Sequence, residues 1–218
     1  MSSLFGDFAL LPAGIKGAVN LPDSRSLVER QNSNNFSQGE NGRMKCTSLL
    51  IQDHKVILRA LEVLQAMAER TENAEPVEAE DVQKLLRFLR TFADDYHQTK
   101  EESGLFPELV RASAMNYPPL RHMIFEHDQE RSLVEGLEDA LCTKKGSEFV
   151  YFANRLIQLL SAHLQNEEDV MFPMADQSLS DEQDEHIVSQ LEKFEVQAGV
   201  IADLQHLEWT YLRKTGCA

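Results

Sequence analysis

Cysteine is scarce: Cys46, Cys142 and Cys217 are the three in 218 residues, an odd number with no CxxC among them. That usage excludes a disulfide framework and a zinc knuckle, and it suits a reducing, cytoplasmic setting. Also missing is any apolar run of the roughly 20 residues needed to cross a bilayer. Basic residues are few, 21 Lys and Arg against 36 Asp and Glu, for a formal charge of -15. The nearest thing to a basic patch is Lys144-Lys145. An acidic surface repels phosphate backbones and anionic headgroups, so neither nucleic acid nor a membrane is an expected partner. The opening MSSLFGDFALLPAGIKG carries an acid and a proline inside its apolar part and lacks a basic leader, which argues against a secretory signal.

What the chain does have is apolar content, 42%, enough for one well-formed core. Residues 1–43 hold Pro12, Pro22, several glycines and the polar run QNSNNFSQGENG, with no sustained period, and read as a flexible N-terminal arm. From Thr47 onward apolar residues recur at helical spacing. A first helix is expected from about Thr47 to Glu69, with Leu50, His54, Leu61 and Leu64 on its inner stripe. A second, from about Glu80 to Glu102, sets Leu86, Leu89, Ala93, His97 and Glu101 on one face and is expected to stop at Ser103-Gly104. Tyr117-Pro118-Pro119 opens a third, with Leu120, His127, Val134 and Leu137 inward. Ser147 is the expected N-cap of a fourth, carrying Phe149, Phe152, Leu156, His163 and Glu167. Ser180-Asp-Glu-Gln183 is a capping-box pattern opening a C-terminal helical extension over 176–218, packed across the bundle.

The order of elements repeats. A helix with a lone histidine precedes one ending in HxxxEExx[LM]FP: His54 with HQTKEESGLFP at His97, then His127 with HLQNEEDVMFP at His163. An antiparallel up-down-up-down four-helix bundle over residues 44–175 would bring both halves to a shared central site. Helical residues four apart share a face, so His97 with Glu101, and His163 with Glu167, can address neighbouring coordination positions. Imidazole with carboxylate suits iron, manganese or zinc. Four imidazoles and two carboxylates exceed one tetrahedral ion and match two metals, each with two histidines, with both glutamates free to bridge. Buried acids also demand a counter-charge, and no Lys or Arg lies on the stripes to supply it.

Neighbouring residues are weaker candidates. His122 is about 140° around the helix from His127, at about 3.6 residues per turn, and is expected at the surface or beside a ligand. His186 and His206 are expected to be structural. Glu102 and Glu168 stand about 100° off the ligand face, as solvated acids or partners of a ligand. Asp53, Glu126 and Glu130 flank lone histidines and carry the same ambiguity. Phe106-Pro107 and Phe172-Pro173 are expected to seal the bundle end and stop the helices.

The order His54, His97 to Glu101, His127, His163 to Glu167 resembles the hemerythrin-like, or HHE cation-binding, family, and SLLIQDHKVIL and PPLRHMIFEHDQER resemble its helices. The resemblance implies a non-haem di-iron centre in a four-helix bundle, its two irons bridged by an oxo or hydroxo group. The oxygen carriers of that family place a further histidine four residues from the one on the third helix. Here Met123 and Arg131 stand there, so the chain is more similar to the four-histidine, two-glutamate members. Those that repair iron-sulfur clusters carry a cysteine-containing N-terminal domain, whereas residues 1–43 have no cysteine. The implied functions are binding or sensing of dioxygen, nitric oxide or iron and redox state. The alternative is a di-iron enzyme or iron donor in nitrosative or oxidative stress defence.

Overall fold

The computed structural model describes residues 44–113 and 118–213, which fall in one compact unit. The arm expected over 1–43 lies outside the described residues. The chain forms α1 (Lys45–Glu72), α2 (Ala79–Phe88), α3 (Phe106–Ser113), α4 (Pro118–Thr143), α5 (Gly146–Asn166), α6 (Phe172–Ser178), α7 (Asp181–Leu191) and α8 (Val200–Tyr211). No strand occurs among the described residues, so the fold is all-α. Among the described residues three π-helical stretches interrupt the regular ladder: π1 (Leu89–Gln98) and π2 (Glu101–Leu105) join α2 to α3, and π3 (Glu167–Met171) joins α5 to α6.

α5 packs against both α1 and α4 because its apolar positions recur at helical spacing. Phe149, Ala153, Leu156, Leu160 and Leu164 are all buried in a core they share with Leu64, Phe88 and Leu137. A second apolar cluster gathers Leu50, Leu105, Phe106, Met123, Phe172 and Leu191. Along α1, Leu50 and Ile51 belong to the second cluster and Ile57 to the first, with His54 between them. His97 and Glu101 fall likewise between Ala93 and Leu105, and His127 between Met123 and Val134. The polar residues are thus a layer with apolar packing on both sides.

Local details depart from the expected boundaries. The helix does not stop at Ser103-Gly104 but continues to Ser113. Gly104 serves packing instead: a Cβ there would come within 2.9 Å of the Leu191 side chain, so its absence lets α7 approach. Ser147 is not a cap, since α5 begins at Gly146 behind Lys145, after a tight connection in which Lys144 takes φ 54°. The Ser180 capping box forms, with the Ser180 hydroxyl accepting from the Gln183 N–H and the Gln183 side chain accepting from the Ser180 N–H.

The extension also closes the start of the bundle. Met44, at the N-cap of α1, has no side-chain cap to offer. Asp184 of α7 supplies it, accepting from the Lys45 and Cys46 N–H groups at 3.0 and 2.9 Å. Asp176 accepts from the Met44 N–H at 3.1 Å and the Thr47 hydroxyl at 2.8 Å. Asp184→Ala leaves one buried and one partly buried donor unmet at the positive end of a long helix, and is expected to cost about 1–2 kcal/mol in denaturant unfolding. An unchanged midpoint would mean the extension does not hold α1.

Candidate metal centre

All six expected ligands meet. His54 stands on α1, His97 in π1, His127 on α4 and His163 on α5, while Glu101 and Glu167 are the first residues of π2 and π3. Each is at most 1% exposed. Two groups form whose ligand atoms lie within 4.8 Å of one another: His54, His97, Glu101 and Glu167, and Glu101, His127, His163 and Glu167. Both glutamates belong to both groups. The Glu167 oxygens lie 3.3 Å from His54 Nε2 and 3.3 Å from His163 Nε2. The Glu101 oxygens lie 3.7 Å from His97 Nε2 and 3.6 Å from His127 Nε2. Within each half the imidazoles meet edge-on, His54 with His97 at 4.8 Å and His127 with His163 at 4.7 Å between centroids.

These donors fit a cation. Nε2 of His54 and of His97, and both oxygens of Glu101 and of Glu167, are buried without a hydrogen-bond partner among the described residues. Buried polar atoms in folded proteins are as a rule paired, because leaving one unpaired costs on the order of 1–3 kcal/mol. Nor does any Lys or Arg pair with either glutamate among the described residues; their ion-pair partners are the four histidines. Imidazole nitrogen with carboxylate oxygen is the donor set of iron, manganese or zinc.

Outside the ligands lies a ring of acids. His54 Nδ1 donates to Glu168 at 2.9 Å, His127 Nδ1 to Glu102 at 2.7 Å and His163 Nδ1 to Glu126 at 2.9 Å. His97 Nδ1 faces Asp53 at 3.6 Å, an ion-pair rather than a hydrogen-bond distance. Such partners fix the tautomer and turn Nε2 inward, free in His54 and His97, while the Nε2 atoms of His127 and His163 lie 3.0 Å apart. The pairing follows the repeat. The acid preceding each lone histidine serves the HxxxE histidine of its own half, and the second glutamate of each EE serves the lone histidine of the other half.

Of the two roles the sequence leaves open for each second glutamate, solvated acid or partner of a ligand, the structure shows the second. The phenylalanine does not only seal: Phe172 stacks on His54 at 5.4 Å, and Phe106 on His127 at 6.1 Å. The prolines do not stop the helix either. The Phe106 and Phe172 N–H groups bond the carbonyls of Glu101 and Glu167 five residues back, and the following proline has no N–H to extend that wide ladder. The recurrence of His, Glu-Glu and Phe-Pro at the same offsets was the signal for these roles. Lys100 had none: it is buried, donates to Asp53 at 2.9 Å and lies 3.5 Å over the Tyr96 ring, whereas Asn166 at the same offset is exposed.

Electrostatics agree with a missing cation charge. Burial pushes the Glu101 carboxyl well above the usual range, and the Glu167 carboxylate adds to it. Burial draws His97 down to about 4, which keeps its imidazole neutral and its lone pair available, although Asp53 opposes this. On His163 burial acts in the same direction, but Glu167 and Glu126 outweigh it and hold the imidazole well above its usual range. Glu102 is held at about 2, chiefly by the hydrogen bond from His127, with Arg131 helping. His122 is exposed and reaches Glu126 at 3.1 Å, while His186 and His206 are exposed and far from the ligands in sequence and in role. Tyr96 stacks on Phe92 beneath Lys100 and forms no part of either ligand group.

A family model described as the hemerythrin HHE cation binding domain matches residues 47–175, more than half of the chain. Neither the curated proteins nor the solved structures give a match.

Proposed function

Because the chain belongs to the hemerythrin HHE cation-binding family, we propose that it is a non-haem di-iron protein that binds or senses a small diatomic ligand, dioxygen or nitric oxide. The observation that carries this is the pair of overlapping four-residue groups sharing Glu101 and Glu167. His54 and His97 would hold one ion, His127 and His163 the other, and the two carboxylates would span both. An iron pair so held supplies reversible redox chemistry and direct bonding of a diatomic molecule at a position left open by the protein.

The chain's own part is to hold, orient and keep dry. Glu168, Glu102 and Glu126 lock three imidazoles through Nδ1, and Phe172 and Phe106 cover two ring faces. The apolar packing on both sides of the ligand layer excludes bulk water, which favours binding over hydrolytic chemistry. An up-down-up-down antiparallel course of the long helices belongs to this reading. It is supported by His54 and His127 lying near the starts of α1 and α4 while His163 lies near the end of α5, all on one layer. A cytoplasmic setting without nucleic-acid partners completes it; among the described residues no helix is long and apolar enough to cross a membrane. The second reading, a di-iron enzyme, is favoured by one observation, a further buried acid, Glu130, near the centre.

Metal analysis tests the proposal. Protein expressed aerobically with iron is expected to hold about two irons per chain, one for each ligand group. An iron content below about one, or zinc alone, would overturn it.

A further inference from the structure

Beside the ligand layer, between π1, α4 and α5, is a cavity of about 20 Å³, room for one water molecule. Gln98 and Glu130 line it, each 3% exposed, and the partly exposed Arg90, Asp94 and Arg131 line its outer side. The Gln98 side-chain N–H donates to one Glu130 oxygen. The other Glu130 oxygen and the Gln98 carbonyl oxygen are buried with no partner among the described residues. Two unmet acceptors on a one-water cavity ask for a molecule with two donors. Neither arginine supplies them: Arg131 is spent on Asp94, Glu102 and Asp128, and Arg90 on Glu138.

We propose that this cavity is a water-filled proton port, in which a water molecule donates to Gln98 Oε1 and Glu130 Oε1 and Glu130 holds a proton at the inner end, beside the metal site. The proton enters as an O–H bond breaks in a solvent hydronium and one forms on the Glu130 carboxylate, and it leaves by the reverse. Glu130 is not a ligand: it stands one turn along α4 from His127 and joins neither ligand group. Burial raises its carboxyl to about 7; Glu167 and Glu126 push the same way, and His163 and the Gln98 hydrogen bond oppose. Glu101 of π2 also acts on it electrostatically, and Arg90, Asp94 and Arg131 are the charged groups lining the outer side. A carboxyl so placed exchanges protons near neutral pH. Only what lies at the port's inner end rests on the di-iron reading.

The test is infrared difference spectroscopy of the full chain between about pH 6 and about pH 8. A protonated-carboxyl band is expected that shifts on transfer to D2O and is absent in Glu130→Gln. Val134→Ile adds one methylene to the cavity wall, an overpacking that lowers stability, and is expected to slow that D2O shift about tenfold while leaving the band in place. A band that survives in Glu130→Gln, or a shift equally fast in Val134→Ile, would overturn the port. Should Val134→Ile fail to fold, a high-resolution crystal structure decides: water bridging Gln98 and Glu130 is expected, and a dry cavity overturns the proposal. The spectra are read with or without bound metal, so a chain that shows the band but takes up no iron would sink the di-iron reading alone.

Discussion

Glu167→Ala is expected to empty both metal positions, not one. Its two oxygens face His54 from one half and His163 from the other, and it belongs to both ligand groups. Glu101→Ala should act alike, since Glu101 stands between His97 and His127. For either variant, iron is expected to fall from about two per chain to a small fraction of one. Glu168→Ala and Glu102→Ala remove acids that reach the candidate ligands only through the far nitrogen of one imidazole, although Glu102 also pairs with Arg131. They are expected to weaken metal affinity about 10- to 100-fold and still load when metal is in excess. The measurement is metal content after equilibration at matched free iron. Equal losses from Glu167→Ala and Glu168→Ala would show that the inward and outward assignments of the two glutamates are wrong.

That the two glutamates of one EE pair do different work is where the sequence was hardest to read. Adjacent helical residues point about 100° apart, so only one can face inward. What the other touches depends on which helix lies alongside, and here it is the lone-histidine helix of the opposite half. Helical period carries no information on such neighbours. The six candidate ligands were legible because each lies on an apolar stripe, where a polar residue is conspicuous. The stacking of Phe172 on His54 and Phe106 on His127 was hidden for the opposite reason, since an apolar residue on an apolar face attracts no notice.

The π-helical turns were equally hidden. Apart from Ser103-Gly104, Leu89–Gln98, Glu101–Leu105 and Glu167–Met171 carry residues common in helices, and nothing in composition distinguishes a ladder to the fifth residue from one to the fourth. Their positions are not arbitrary, because π2 and π3 each begin at a ligand glutamate and end one residue before the Phe-Pro. Wide turns of this kind concentrate at functional sites. The expected stop at Ser103-Gly104 failed on the same ground: glycine was read as punctuation, whereas its missing Cβ makes room for Leu191.

Removing metal should show how much of the fold the centre holds. In the metal-free chain the Nε2 atoms of His54 and His97 and four carboxylate oxygens stay buried without partners. The Glu101 carboxyl, pushed up by burial and by Glu167, must then hold a proton or carry an unneutralised charge. Both outcomes lower the stability of the folded state relative to the unfolded one, where water solvates every group. With free iron about a thousandfold above its dissociation constant, binding to the folded state alone contributes about 4 kcal/mol. For a chain of this size that is a rise in Tm of about 10 °C, read by calorimetry on loaded and chelator-treated protein. The loss should be local before it is global. Leu64, Phe88, Leu137 and Leu156 form a core without metal ligands, so their helices should keep amide protection while π2 and π3 exchange faster. Equal Tm values for loaded and stripped protein, with unchanged protection in π2 and π3, would mean that the buried layer is stable by itself and that a cation is not what its unpaired atoms await.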